Sequence, residues 1–277
     1  MTNRDLELSV SVVTYKNNLE MLKKLLYSLT RNNLRLKIFI IDNSPSKDIE
    51  ALSDNDKIIY IHNHSNIGFG AGHNIAIRRI AGISRYHLVV NPDIYFEEGT
   101  LEKISTFMEN HPDIGLLMPK VFYPDGSLQY LCRLLPYPLD LFLCKFRIPF
   151  ISQYLSSIYE LKSADYNKIQ DIPYLSGCFM FLKNDVFNKV GSFDERFFMY
   201  FEDVDFCRRI KKQYRTVYYP EAVIYHGYEQ GSDKDIRLLK EIFCSGIKYF
   251  NKWGWFIDAE RTSINKEALA SLRPNLR

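Results

Sequence analysis

The chain has 277 residues, 46% of them hydrophobic and 25% charged, and its 36 Lys and Arg against 33 Asp and Glu give a formal net charge of +3. These values exclude a disordered chain or a coiled coil, and so small a charge offers no global electrostatic basis for nucleic acid, which is not expected as a partner. The length suits one large α/β domain with an appendage, or two small domains, with ample chain for a buried core.

Residues 1–8 carry Arg4, Asp5 and Glu7 and lack the apolar stretch of a signal peptide. Nowhere do about 18 apolar residues run uninterrupted, as a spanning helix needs. The cysteines stand singly, without zinc-type spacing. A cytoplasmic protein with reduced thiols is the expectation.

The first hundred residues alternate strand and helix signals. Residues 8–14 (LSVSVVT) form a short β-branched run, and after the capping residues Asn17 and Asn18, leucines recur at helical spacing at 19, 22, 25, 26 and 29. Further strands are predicted at 37–42, 58–62 and 87–91, and helices at 74–83 and 100–110. Such a series implies a mostly parallel sheet covered on both faces, whose ligand sits beyond the carboxyl ends of the strands. Polar residues collect at those ends: Thr14 and Tyr15, Asp42 to Ser44, Asn63 to Asn66, and Asn91 to Asp93. Beyond residue 110, residues 114–122 and 128–131 flank a Pro-Asp-Gly turn and read as a hairpin. An aromatic stretch at 134–174 resists assignment. Strand signals return at 176–183, 216–219 and 222–226, and helical ones at 203–213 and 234–250.

Residues 66–74 (NIGFGAGHN) invite comparison with a dinucleotide fingerprint, but His73 stands where glycine is required and the segment does not follow the first strand. What remains is a glycine-rich turn entering a helix, either a simple tight turn or a place where backbone N–H groups approach a phosphate. Asp93, after a strand, is either a turn residue or a carboxylate able to hold a divalent cation against a diphosphate. The second acidic cluster, Glu202, Asp203 and Asp205, opens a helix and exceeds what capping alone requires. His226 ends a strand and is either a structural histidine or a metal ligand beside Asp93.

Together these motifs have a familiar order. Ser11 to Tyr15, Ile41 to Ser44, Asn66 to Asn74, Asn91 to Asp93, Ser176 to Met180, Gly191 to Glu195, Phe197 to Asp205 with Arg208, and His226 resemble the motif series of glycosyltransferase family 2. Within it the chain is most similar to the bacterial rhamnosyltransferase-like branch of O-antigen and related polysaccharide assembly. The resemblance implies a GT-A fold: a Rossmann-like, mostly parallel central sheet with helices on both faces and an acceptor-side extension. It also implies a nucleotide-sugar donor, Mg²⁺ or Mn²⁺, and inversion at the anomeric carbon.

Position by position, the resemblance places Thr14 and Tyr15 in the nucleoside pocket and Asp42 on the base. Gly68, Gly72, Asn74 and Asn91 would border nucleotide and sugar. Gly177, Cys178 and Glu202 would lie on the acceptor side, Asp203 would be the base, and Asp93 with His226 would hold the metal. Asn91 begins a motif whose other form starts with Asp, which removes one negative charge. Cys178 reads as a packing residue rather than a nucleophile, since direct displacement forms no covalent intermediate.

The expected division is 1–125 for nucleotide-sugar binding, 126–233 for acceptor binding and catalysis, and 234–277 as a helical extension. The expected donor is dTDP-L-rhamnose, with UDP-hexoses and UDP-galactofuranose as alternatives, and the expected acceptor is a glycan on a polyprenyl diphosphate. An inactive nucleotide-sugar-binding protein and a nicotinamide oxidoreductase are the competing classes. The lipid acceptor implies peripheral contact with the inner face of the cell membrane, for which residues 141–151 and a basic helix face of Arg208, Lys211, Lys212 and Arg215 are candidates. A homo-oligomer is left open.

Overall fold

The computed structural model describes residues 6–16, 18–53, 55–80, 82–143, 157–227 and 236–272. Its strands, in chain order, are β1 (Leu6–Thr14), β2 (Leu36–Asp42), β3 (Ile58–His62), β4 (Ser84–Val90), β5 (Ile94–Tyr95), β6 (Ile114–Phe122), β7 (Cys132–Arg133), β8 (Gln170–Asp171), β9 (Tyr174–Leu175), β10 (Phe179–Lys183) and β11 (Arg215–His226). The helices are α1 (Leu19–Thr30), α2 (Phe69–Ile77), α3 (Thr100–Asn110), α4 (Pro138–Leu143), α5 (Asp185–Val190), α6 (Glu202–Lys211), α7 (Ile236–Trp253) and α8 (Ala259–Leu272).

The main sheet runs β3-β2-β1-β4-β10-β6-β11-β5, with β8 also paired to β11. β1 to β4, β6 and β11 share one direction, while β5, β8 and β10 oppose it. β10 inserts between β4 and β6, so the later part of the chain supplies a central strand to the sheet begun by the earlier part. β7 and β9 form a separate two-stranded ribbon.

Both faces of the sheet are covered, as its near-continuous apolar strands require. Along β10, Phe179 and Phe181 join the layer under α1 and α3, while Met180 and Leu182 join the layer under α6, α7 and α8. β1 alternates differently: Leu8, Val10 and Val12 are core, whereas Ser9 and Ser11 are fully buried and polar. They form a hydrogen-bonded chain, Ser84–Ser9–His87–Ser11–His73, which ties β1, β4 and α2 together. Burial without a compensating charge keeps both imidazoles neutral, His87 falling to about 3 and His73 well below its ordinary value.

Four expectations need correction. α2 begins at Phe69 rather than 74, because its glycines are packing positions inside the helix. The hairpin contracts to a turn and one bridge, Phe122 with Leu128, since the chain then turns away and Gln129 reaches toward His226. The two late strands are one strand, β11, carrying an irregularity between Tyr219 and Val223. The basic face loses Arg208, which is 1% exposed and bonds Asp258 and Glu260; Lys212 and Arg215 stay exposed on it, pairing with Glu260 and with Asp113 and Asp171. Residues 144–151, most of the other membrane candidate, lie outside the described residues. No helix among the described residues is long and apolar enough to cross a membrane.

Candidate active site

The carboxyl ends of β1 and β2 meet at Thr14 and Asp42, which are register partners. Asp42 is fully buried: its Oδ1 accepts from the Thr14 hydroxyl at 3.3 Å and the Ser44 N–H at 2.9 Å, and its Oδ2 accepts from the Tyr60 hydroxyl at 2.8 Å. Burial and this carboxylate push the Tyr60 phenol well up. Asp42 therefore braces this edge from beneath with both oxygens engaged, and Thr14, 2% exposed, is packed beside it. Tyr15, 45% exposed, is the residue this edge displays.

The glycine-rich segment is also a packing device. Gly68 has φ +93°, and a Cβ there would meet the Phe198 carbonyl oxygen at 2.2 Å. At Gly72 a Cβ would strike the Val13 methyls at 2.8 and 3.0 Å, so glycine is what lets α2 sit directly on β1. Asn74 is buried with its amide engaged: Nδ2 donates to the Phe193 carbonyl and Glu195, and Oδ1 accepts from the Phe193 N–H. Gly72 thus seats α2 on β1, and Asn74 anchors the 193–195 loop.

A second edge forms where β4 ends. The Asn91 N–H donates to the Cys178 carbonyl at 2.9 Å, and the Gly227 N–H donates to the Asp93 carbonyl at 2.9 Å, fixing the 91–93 turn between β10 and β11. This brings Asp93 Oδ1 to 3.4 Å from His226 Nε2, with Asn91 Nδ2 also 3.4 Å from that nitrogen. Gln129 decides which proton His226 carries. Its Nε2 donates to the His226 carbonyl at 2.9 Å, so its Oε1 must accept from His226 Nδ1 at 3.0 Å. In the neutral imidazole Nε2 is then an acceptor and faces a carboxylate oxygen. Two acceptors so placed can share a cation, and a hard oxygen beside an imidazole nitrogen suits Mg²⁺ or Mn²⁺. Among the described residues no third His, Cys, Asp or Glu joins this pair. Further ligands would have to come from a bound diphosphate or water.

The third edge is the start of α6. Tyr200 and Phe201 have φ +67° and +66°, two consecutive left-handed residues that cost about 1–3 kcal/mol each and fix the direction in which the next side chains leave. Asp203 Oδ2 accepts from the Gly177 N–H and the Tyr174 hydroxyl, both at 2.9 Å, and Oδ1 accepts from the Val204 N–H. Burial raises its proton affinity despite these donors and the nearby Arg133 charge. Gly177 packs closely here, a Cβ there coming within 3.1 Å of the Asp203 Cβ. Cys178 is a core residue whose thiol burial pushes up to about 12, and the charges of both Asp93 and Asp203 act on it. The 176–178 segment therefore lies between the two acidic edges. Asp205 is occupied structurally by Arg209, Lys252 and Trp253.

Glu202 is 5% exposed, with Oε2 buried and unpartnered. Burial first, and then the Asp203 charge, hold its pKa well above 4.5. Between the unfolded value and that raised one the unfolded chain binds fewer protons, so stability falls as pH rises. Glu202→Gln is expected to melt above the parent at pH 7–8, by about 2–4 °C for each kcal/mol relieved, with the gap closing near pH 4. A variant that melts below the parent at both pH values contradicts this.

Gln129, Tyr174 and Arg133 were not singled out in the sequence. A glutamine inside the apolar run 128–131 is the one signal that pointed to Gln129; Tyr174 and Arg133 sit in or beside the unassigned aromatic stretch.

The family model described as Glycosyl transferase family 2 matches residues 9–191. The low-salt glycan biosynthesis hexosyltransferase Agl10 of Haloferax volcanii is 24% identical over 220 residues, covering 75% of this chain and 62% of that protein. The N-acetylglucosaminyl-diphospho-decaprenol L-rhamnosyltransferase of Mycobacterium tuberculosis is 28% identical over 187 residues, covering 62% of this chain and 59% of that protein. The matches thus span about three fifths of the length of these relatives. Among solved structures, GalNAc-T7 with UDP, GalNAc and Mn²⁺ superposes with a TM-score of 0.62 at 13% identity, over 90% of this chain and 48% of that one. That likeness shows the shared GT-A fold.

Proposed function

The chain belongs to glycosyltransferase family 2, and from that premise we propose that it transfers a sugar from a nucleotide-sugar donor to a hydroxyl of a lipid-linked glycan, with inversion. The observation that carries the reading is the placement of a basic, partly buried carboxylate, Asp203, across the 176–178 segment from the Asp93–His226 pair. Inverting displacement needs those two functions on separate walls.

Asp203 takes the proton from the attacking acceptor hydroxyl. Its proton affinity is raised by burial, while Gly177, Tyr174 and Val204 fix both oxygens. The attacking oxygen gains nucleophilicity as its proton leaves and displaces the nucleoside diphosphate from the opposite face of the sugar. Asp93 and His226 would hold a Mg²⁺ or Mn²⁺, which when bound offsets the charge of the leaving diphosphate. Gln129 keeps the His226 Nε2 in its acceptor form for that purpose. Tyr15 offers its exposed ring to the nucleoside.

L-rhamnose from dTDP-L-rhamnose is the proposed donor, supported by the L-rhamnosyltransferase relative, and a polyprenyl-diphosphate glycan is the proposed acceptor on the same ground. A UDP-hexose is the second reading, supported by the hexosyltransferase relative. A donor screen by thermal unfolding with Mg²⁺ or Mn²⁺ separates them, because a ligand that binds the folded state raises its melting temperature. dTDP-L-rhamnose is expected to give the largest shift; a larger shift with a UDP-hexose selects the second reading.

A further inference from the structure

We propose that the groove between the 134–140 segment and α8, together with Arg133, binds the lipid-proximal end of an isoprenoid diphosphate acceptor: the diphosphate on Arg133 and the first isoprene units in the groove. The proposal rests on the lipid-linked acceptor reading above and assigns residues to it.

The groove has a volume of about 380 Å³ and is walled by Leu134, Leu135, Ile158, Tyr159 and Leu269, with Lys266 at its border. That size lies within the ~300–1,000 Å³ of small-ligand sites, and its walls are mostly apolar, as an alkyl chain requires. Asp140 also borders it, its carboxylate accepting from the Tyr137 N–H.

Arg133 connects this groove to the base. Its guanidinium lies 5.9 Å from the Tyr159 ring centroid and 5.8 Å from that of Tyr174. Tyr159 is a wall of the groove, and the Tyr174 hydroxyl donates to Asp203. Arg133 Nε is buried without a hydrogen-bond partner, and among the described residues no carboxylate lies within ion-pair distance of the guanidinium. The nearby Glu160 is already paired with Lys162 at 2.7 Å. A half-buried arginine whose buried Nε–H has no acceptor has a donor left over for an anion.

The order of chemical groups matches. Along the protein the sequence is apolar groove, a guanidinium whose Nε–H lacks an acceptor among the described residues, then the carboxylate proposed to accept a proton. Along the acceptor it is isoprene chain, diphosphate, then sugar hydroxyl. A free nucleotide lacks the apolar end, and a soluble sugar lacks both the chain and the charge.

The test is calorimetric titration of farnesyl diphosphate into the metal-free protein in EDTA, so that the Asp93–His226 pair takes no part. Farnesyl diphosphate is expected to bind at least tenfold more tightly than either farnesol or inorganic pyrophosphate. Arg133→Met, and separately the groove-filling Leu269→Trp and Ile158→Trp, are expected to weaken it at least tenfold while the donor-induced melting shift stays at the parental value. Binding unchanged in Arg133→Met and in both folded groove variants overturns the proposal, as does displacement of farnesyl diphosphate by dTDP or UDP. If the donor screen shows no nucleotide sugar bound while farnesyl diphosphate binds as described, it is the glycosyltransferase reading that fails.

Discussion

Asp203→Asn is expected to bind donor and metal near normally and to lose turnover by about 10²- to 10⁴-fold, the ordinary loss when a general base is removed. The substitution is nearly isosteric, and one amide oxygen still accepts from Gly177 and Tyr174. The other position becomes an NH₂ facing the Val204 N–H, so one hydrogen bond is lost together with the proton acceptor. Asp205→Asn is the contrasting variant. Asp205 is fully buried, bonded to Arg209, Lys252 and Trp253, so its change is expected to lower the melting temperature and to spare kcat. Breaking a buried ion pair costs about 3–5 kcal/mol when one charge is left uncompensated. Steady-state kinetics at saturating donor with a defined acceptor checks the pair. An Asp203→Asn enzyme that keeps most of its kcat moves the base to Glu202.

The second large effect is expected on the Asp93–His226 edge, as a graded series. Asp93→Ala removes the carboxylate of the pair and is expected to abolish the metal-dependent part of donor binding, and turnover with it. Gln129→Leu leaves both ligands in place but removes the acceptor that fixes the proton on His226 Nδ1, and losing an outer partner of this kind typically costs about 10- to 100-fold in metal affinity. Mn²⁺ titration gives the affinities, and ¹⁵N NMR of the metal-free protein reports whether Nδ1 carries the proton. A Gln129→Leu protein with unchanged Mn²⁺ affinity shows that the clamp has no bearing on the metal; unchanged metal-dependent donor binding in Asp93→Ala shows that another residue is the ligand.

The parallel core was legible because its signals are local. The leucines of α1 recur at helical spacing, and the runs ending at Thr14, Asp42 and Val90 are short and apolar, so periodicity alone placed those elements. Asp93, His226 and Asp203 stood at strand ends and a helix start, where the fold then gathered them. What the sequence hid depends on distant partners. Gln129 acts on a residue 97 positions away, and Arg208 looked solvated because Asp258 lies 50 positions further on. The start of α2 was misplaced because glycine lowers helix propensity, whereas Gly70 and Gly72 serve close approach to Phe193 and Val13.

In the proposed reaction, one wall of the 176–178 segment takes a proton from the acceptor while the other holds the leaving diphosphate, so that the sugar is transferred with inversion. NMR of the product formed from dTDP-L-rhamnose and a polyprenyl-diphosphate-linked sugar acceptor tests it most directly. The predicted result is acceptor-dependent release of dTDP, lost in Asp203→Asn, and a product whose anomeric configuration is opposite to that of the donor. A product with the donor's configuration, or one still formed at the parental rate by Asp203→Asn, contradicts it.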